Sequence, residues 1–144
     1  MIQPHPRKDG NIIKITEKLT DLSVSTSGDY ERTYFYNGTT YSHIIDPSSG
    51  RPADTHIASA TVITENGLKA DALSTALCLF SHDPKNSDNS ELIDFIKNTL
   101  KTSDFKNSAF YVVYDDNNYK QIITNKKQGE NFTLSDNDYQ VVYV

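Results

Sequence analysis

The sequence predicts an α+β fold, a mainly antiparallel sheet with two principal helices. Three observations carry this. Short runs of β-branched and aromatic residues recur along the chain and are separated by turn residues. Only two segments, 69–80 and 90–100, read as helices. The strands follow one another at hairpin distances instead of alternating with helices. The length of 144 residues matches one domain spanning the whole chain.

Residues 11–15 and 19–25 read as strands joined by the polar turn Thr16-Glu17-Lys18. Residues 30–36, rich in aromatics and Thr, form the next strand, and Asn37-Gly38 is a hairpin signal that returns the chain along 39–45. Tyr30 and Tyr34 are expected on a sheet face or in the core, and Arg32 in solvent, paired with Glu31 or Glu17. Residues 46–54 hold two prolines and a glycine and form a loop. Residues 57–64 alternate β-branched side chains as a strand does, and Asn66-Gly67 turns the chain into a helix over 69–80. The polar stretch 81–89 leads to a helix over 90–100, with Ser90 as N-cap and Leu92, Ile93, Ile96 and Leu100 as one apolar stripe. Strands at 110–114, 119–124 and 140–144 complete the chain, with a turn at 115–118.

Composition narrows the function. Hydrophobic residues make up 36%, and nine Tyr and six Phe supply bulky core material. The net charge of −5, without a basic block, argues against nucleic acid as partner, because phosphate backbones need clustered Lys and Arg. A small anionic ligand is still compatible, since a helix N-terminus or a metal holds it without a basic patch. The single cysteine, Cys78, excludes an internal disulfide and reads as a buried thiol in an apolar run. No apolar run is long enough to span a bilayer, and residues 1–10 do not resemble a signal peptide.

Two segments stand out chemically. His43-Ile44-Ile45-Asp46-Pro47-Ser48-Ser49-Gly50 is a tight polar loop with a histidine and a carboxylate. Ala70-Asp71-Ala72-Leu73-Ser74-Thr75 is an apolar helix start whose acid and hydroxyl, four apart, share one face. Such an oxygen pair suits magnesium, which usually brings a phosphate. Alternatively Asp71 caps the helix while Thr75 bonds back to a carbonyl. His43 has two readings, a proton acceptor near neutral pH or a turn-holding group bonded to Asp46 or to backbone. Asp46, before Pro47, organises the loop through its side chain. Ser27 and Gly28 form either an ordinary turn or a place where backbone approaches a flat ring. His5, His56 and His82 lie outside these motifs and are expected at the surface.

With Ser25-Thr26-Ser27-Gly28-Asp29-Tyr30-Glu31-Arg32 upstream and Ser59-Ala60-Thr61-Val62 between, these segments resemble the ApbE family of flavin transferases. Its pattern runs T-S-G-D-Y-E-R, H-I-I-D-P-x-T-G-x-P, S-x-T-V and A-D-A-L-S-T-A, in the order found here. The resemblance implies a magnesium-dependent enzyme that splits FAD and attaches FMN to a threonine of an acceptor protein. It implies that Asp71 and Thr75 ligate Mg2+, that His43 is a candidate base, and that Ser27, Gly28, Ile45 and Asp46 lie toward the flavin. It begins at mid-family, so a half-length relative is expected, lacking the N-terminal half that helps hold the adenine end of FAD. Three outcomes stand side by side: an active transferase, a truncated flavin-binding module, or a subunit completed by another chain or a second copy. The family is often exported, yet without a signal peptide the chain as written is expected in the cytoplasm or as part of a longer product.

Overall fold

The structure is a computed structural model and describes residues 13–16, 18–29, 33–53, 55–80, 89–115, 119–134 and 138–144. In chain order the strands are β1 Ile13–Ile15, β2 Ser23–Gly28, β3 Thr33–Tyr36, β4 Thr39–Ser42, β5 Ile45–Asp46, β6 Arg51–Pro52 and β7 Ile57–Thr64. Helices α1 Gly67–Leu77 and α2 Ser90–Leu100 follow. Then come β8 Ala109–Asp115, β9 Lys120–Thr124, β10 Phe132–Leu134 and β11 Gln140–Tyr143. This is the expected α+β fold with two helices.

A five-stranded sheet in the order β11-β9-β8-β7-β2 forms the body. All its pairings are antiparallel except β11 with β9, where Gln140 aligns with Gln121. The two strands β7 and β8 are buried along their whole length, so both sheet faces need a cover. On one face Ala60, Val62, Phe110, Val112 and Ile123 pack with Ala70 and Leu77 of α1 and with Leu92 and Ile96 of α2. On the other, Ile63, Tyr111, Val113 and Ile122 pack with Phe132, Ile15 and Leu134 of the β1-β10 pair. Tyr111 meets Phe132 edge-on at 5.5 Å, a favoured aromatic geometry.

The first hairpin is not formed. β1 pairs with β10, Ile13 opposite Leu134, and β2 pairs with β7, Ser23 opposite Thr64. Thr16-Glu17-Lys18 offers no glycine or asparagine for the positive φ of a tight hairpin, while Ile15 gains a core position by crossing to the far face. The left-handed residue here is Asp21, with φ 54°, just before β2. β10 lacks a strand signal in the sequence because only three residues long it stands among polar neighbours.

The β3-β4 hairpin forms as expected, with Asn37 and Gly38 at φ 48° and 83°, the two positive angles of a type I′ turn. Tyr34 stands on its open surface, stacked on Tyr41 at 5.1 Å. Tyr30, Arg32 and Glu31 lie outside the described residues, as does Glu17. Within the 46–54 loop β5 and β6 make one short bridge, and Gly50 takes φ 65° at its tip. Helix α1 starts two residues before the expected position because Asn66 caps it: its Oδ1 accepts from the Lys69 N–H at 3.1 Å. Asp71 is therefore an interior helix residue and caps nothing, which removes the capping reading. For α2 the N-cap is Asn89, not Ser90, and the Asn89 amide is spent on Gln121 in the core. Among the described residues no helix is long and apolar enough to cross a membrane.

Leu77 and Ile96 are fully buried, so Leu77→Ala and Ile96→Ala should each lower stability by about 2–5 kcal/mol in urea unfolding. Phe35, 73% exposed, should cost no more than ~0.5 kcal/mol when cut to Ala. A Phe35 loss as large as the core losses would show that the hairpin packs on the body.

Candidate functional site

Strand β2 alternates Ser23, Ser25 and Ser27 on one face with Val24 and Thr26 on the other. Thr26 shares a hydrogen bond with Thr61 across the strand pair at 2.8 Å. The serine row faces α1. The helix comes close because Gly67 has no side chain; a Cβ there would lie 3.2 Å from Ser23 Oγ.

Asp71 and Thr75, one helical turn apart on α1, meet this row. Ser25 Oγ donates to Asp71 Oδ1 at 3.0 Å. Ser27 Oγ lies 2.9 Å from both Ser74 Oγ and Thr75 Oγ1. Ser74 Oγ reaches Ser25 Oγ at 3.3 Å and the Asp71 carbonyl at 3.0 Å, and Thr75 Oγ1 reaches the same carbonyl at 3.3 Å. Each hydroxyl has one proton, so not all of these contacts are filled at once. One consistent arrangement donates from Thr75 to Ser27, Ser27 to Ser74, Ser74 to Ser25, and Ser25 to the Asp71 carboxylate. Four hydroxyls in series then end on one negative charge, and such chains strengthen cooperatively. Asp71 Oδ2 has no partner among the described residues and is exposed.

Ser27, Asp71 and Thr75 are thus brought together; the sequence pattern put only Asp71 and Thr75 on one helix face and left Ser27 as a separate flavin-side candidate. Ser25 and Ser74 were not singled out in the sequence. Their signal is the strand alternation that puts Ser25 beside Ser27, and the position of Ser74 next to Thr75. In the alternative arrangement the Thr75 proton goes back to the Asp71 carbonyl at 3.3 Å, the second of the two roles its position in the sequence offered. Gly28 corrects the turn expected around it. It is the last residue of β2, buried and paired with Ser59, and the Asp29 N–H continues the ladder to the Ala58 carbonyl at 3.2 Å. Behind it Cys78 donates to the Ser27 carbonyl at 3.6 Å. Burial, then the negative charge of Asp29, push this thiol up to about 12.

The second motif is anchored beside β4. Ile44 is buried, its N–H donates to Ser42 Oγ at 3.1 Å, and its carbonyl accepts from Ala53 at 2.8 Å. Those bonds hold a buried residue between exposed His43 and Ile45, the latter 51% exposed. His43 makes no hydrogen bond to Asp46. The carboxylate instead accepts from the Ser48 N–H at 2.9 Å and the Ser48 hydroxyl at 2.8 Å, and the Asp46 carbonyl accepts from Gly50 at 2.8 Å. Asp46 is the residue that organises the loop. Among the described residues no hydrogen bond links His43, Ile45 or Asp46 to the α1 cluster. His56 is partly buried and not a plain surface residue: it takes φ 56° and its ring meets Tyr114 at 6.1 Å. His5 and His82 lie outside the described residues.

The Ser48 N–H, then the hydroxyls of Ser48 and Ser49, hold the Asp46 carboxyl below its ordinary 3.8. A carboxyl lowered in the folded loop supports that loop above 3.8 and releases it as pH falls through the lowered value. The Ser48 amide resonance should therefore shift with a midpoint below pH 3.8, and the shift should vanish in Asp46→Ala. A midpoint above 3.8 would contradict this hydrogen bonding.

Comparison with known proteins places this geometry in a family. The model of the ApbE family matches residues 2–111, a span that includes all the motif residues above. The FAD:protein FMN transferase of Vibrio cholerae is 40% identical over 63 residues, which cover 44% of this chain and 19% of that protein. The FAD:protein FMN transferase of Escherichia coli K12 is 38% identical over 72 residues, 50% of this chain and 20% of that one. The chain spans about a fifth of the length of these curated relatives. Among solved structures, the ApbE protein of Thermotoga maritima matches with a TM-score of 0.57 and 32% identity, covering 78% of this chain and 32% of that one. The flavinyl transferase ApbE of Pseudomonas stutzeri, in its apo form, matches with a TM-score of 0.50 and 27% identity, covering 87% and 33%. With the ordered motifs, the α+β sheet and a family match over 110 of 144 residues (111 − 2 + 1), the chain belongs to the ApbE family.

Proposed function

We propose that this chain carries the metal-facing and flavin-facing side of a centre that transfers FMN from FAD to a threonine of an acceptor protein. One observation carries the reading: Ser25 meets Asp71 at 3.0 Å and Ser27 meets Thr75 at 2.9 Å, joining two motifs 46 and 48 residues apart. The curated relatives bear the name of that activity.

The cluster offers only oxygen donors, one of them a carboxylate oxygen free of other partners, and this donor set fits a hard cation that keeps several waters and takes its remaining ligands from phosphates. Asp71 Oδ2 and Thr75 Oγ1 would hold Mg2+. Held there, Mg2+ would supply charge neutralisation at the FAD pyrophosphate. The strand end at Ser27 and Gly28 and the loop at Ile45 and Asp46 bound the flavin side. His43, exposed and without a hydrogen bond among the described residues, accepts the proton of the threonine hydroxyl. The threonine oxygen then bonds to the phosphorus of the FMN moiety while the bond from that phosphorus to the AMP oxygen breaks. AMP leaves, and the proton held on His43 passes to the departing phosphate.

A second reading keeps the ligand and drops the transfer. The residues here correspond to about a third of the solved family structures, so by themselves they supply part of the family's contacts with FAD. Affinity alone is then expected to be weak, each tenfold loss corresponding to about 1.4 kcal/mol.

Thermal melting decides between them. Wild type should be stabilised by FAD together with Mg2+ and not by FAD alone. Asp71→Asn should abolish that shift and leave the unliganded melt within ~0.5 kcal/mol, because Asn still accepts from Ser25 and the helix is capped at Asn66. A magnesium-dependent shift that survives Asp71→Asn would remove Asp71 as a ligand. The same shift without turnover of FAD to AMP favours the binding module.

A further inference from the structure

The buried residues of α1 are Ala70, Ser74 and Leu77, spaced as one helix face. Two are apolar. The third is a serine with no exposed surface. Alanine forms helices better than serine and buries no hydroxyl, so packing alone favours alanine at this position. A residue that breaks a local rule with no gain in packing points to a second demand on the place it occupies.

That demand is legible in what Ser74 touches. Its Oγ lies 2.9 Å from Ser27 Oγ, 3.3 Å from Ser25 Oγ and 3.0 Å from the Asp71 carbonyl. Ser25 in turn reaches the Asp71 carboxylate at 3.0 Å, and Ser27 reaches Thr75 at 2.9 Å. Among the described residues no hydrogen bond joins the Asp71 carboxylate directly to the Thr75 hydroxyl. The two groups are joined through Ser27, Ser74 and Ser25, and Ser74 is the middle link.

The Thr75 proton has two acceptors, Ser27 Oγ at 2.9 Å and the Asp71 carbonyl at 3.3 Å. When it goes to Ser27, the protons run on through Ser74 and Ser25 to the carboxylate, and Thr75 keeps both lone pairs. When it goes to the carbonyl, Ser27 is released to donate to Thr75, which occupies one lone pair and brings a proton to the oxygen. A cation on Thr75 repels that proton and favours the first order. The first order exists only while Ser74 accepts from Ser27 and donates to Ser25.

We propose that Ser74 is a positioning residue for the magnesium ligands: buried behind them, it takes the Ser27 proton and hands its own to Ser25, which keeps Thr75 an acceptor for the metal and the Asp71 carboxylate held by Ser25. This deepens the reading of Asp71 and Thr75 as magnesium ligands and rests on it. It assigns a role to a side chain that reaches neither metal nor flavin.

The test is the Mg2+ concentration that gives half of the thermal shift in excess FAD, measured on the full chain and its variants. Ser74→Ala should raise that concentration roughly 10–100-fold, the usual effect of removing a group behind a metal ligand. Its melting without ligand should stay unchanged or rise, because alanine suits the helix better. A hydroxyl that only holds the fold gives the reverse, a lower melt with an unchanged Mg2+ requirement, and that result overturns the proposal. Ser74→Thr and Ser74→Val have the same shape and differ in the hydroxyl, so Thr should need less Mg2+ than Val. This pair decides the matter if Ser74→Ala lowers the melt and weakens Mg2+ together, and equal requirements for Thr and Val overturn the proposal. Equal requirements for wild type and Ser74→Ala leave Asp71 and Thr75 as ligands and sink the role of Ser74 alone. A wild-type melt that Mg2+ never moves sinks the magnesium reading, and the role of Ser74 with it.

Discussion

The constraint on which this structure turns is burial of β7 and β8 on both faces. Every residue of Ile57–Thr64 and Ala109–Asp115 is buried, including Phe110, Tyr111 and Tyr114. A strand pair this apolar is stable only when both sides are removed from water, at roughly 25 cal/mol per Å² of apolar surface. One side takes the two helices. The other takes β1 and β10, which come from distant parts of the chain. With both layers assigned to the middle of the sheet, β2 is left outermost, and α1 is carried out with it. The location of the candidate site at a border follows from that distribution of apolar surface.

The serine row on β2 is the polar counterpart of the same arrangement. A central strand could not carry Ser23, Ser25 and Ser27 on one face without costly burial of hydroxyls. At the border Ser25 and Ser27 are satisfied by Ser74, Thr75 and the Asp71 carboxylate. Their number exceeds what a metal pair requires. Ser25 holds the Asp71 carboxylate and Ser27 the Thr75 hydroxyl, the two groups proposed above as ligands, and Ser74 bridges the two serines.

Local signals in the sequence were sufficient wherever the structure is decided locally. The strand at 57–64, the helix at 90–100 and the Asn37-Gly38 hairpin stand where composition and spacing put them. Contacts between distant segments were not legible. β1 meets β10 across 121 residues, counting from Ile13 to Leu134, and no turn residue announces that pairing. The helix start moved because the Asn66 side chain competes for the first free N–H groups, a choice between neighbouring polar residues that propensity does not resolve. Of the site, the paired spacing of Asp71 and Thr75 was visible as one helix face, and the approach of Ser27 to Thr75 follows the family order of motifs. The remaining hydroxyls were hidden because serine on a strand usually means a solvated edge.

Gly67 acts as a spacer of zero thickness. The first turn of α1 rests on Ser23 where a methyl group would stand 3.2 Å from its hydroxyl, tighter than ordinary contact. A side chain at this point requires Ser23 or the helix start to give by a few tenths of an ångström. The hydrogen bonds at 2.9 and 3.0 Å between strand and helix have only a few tenths of an ångström before they fail. The gap between the serine row and the carboxylate is therefore gauged at the end of the helix, by an atom that is not there.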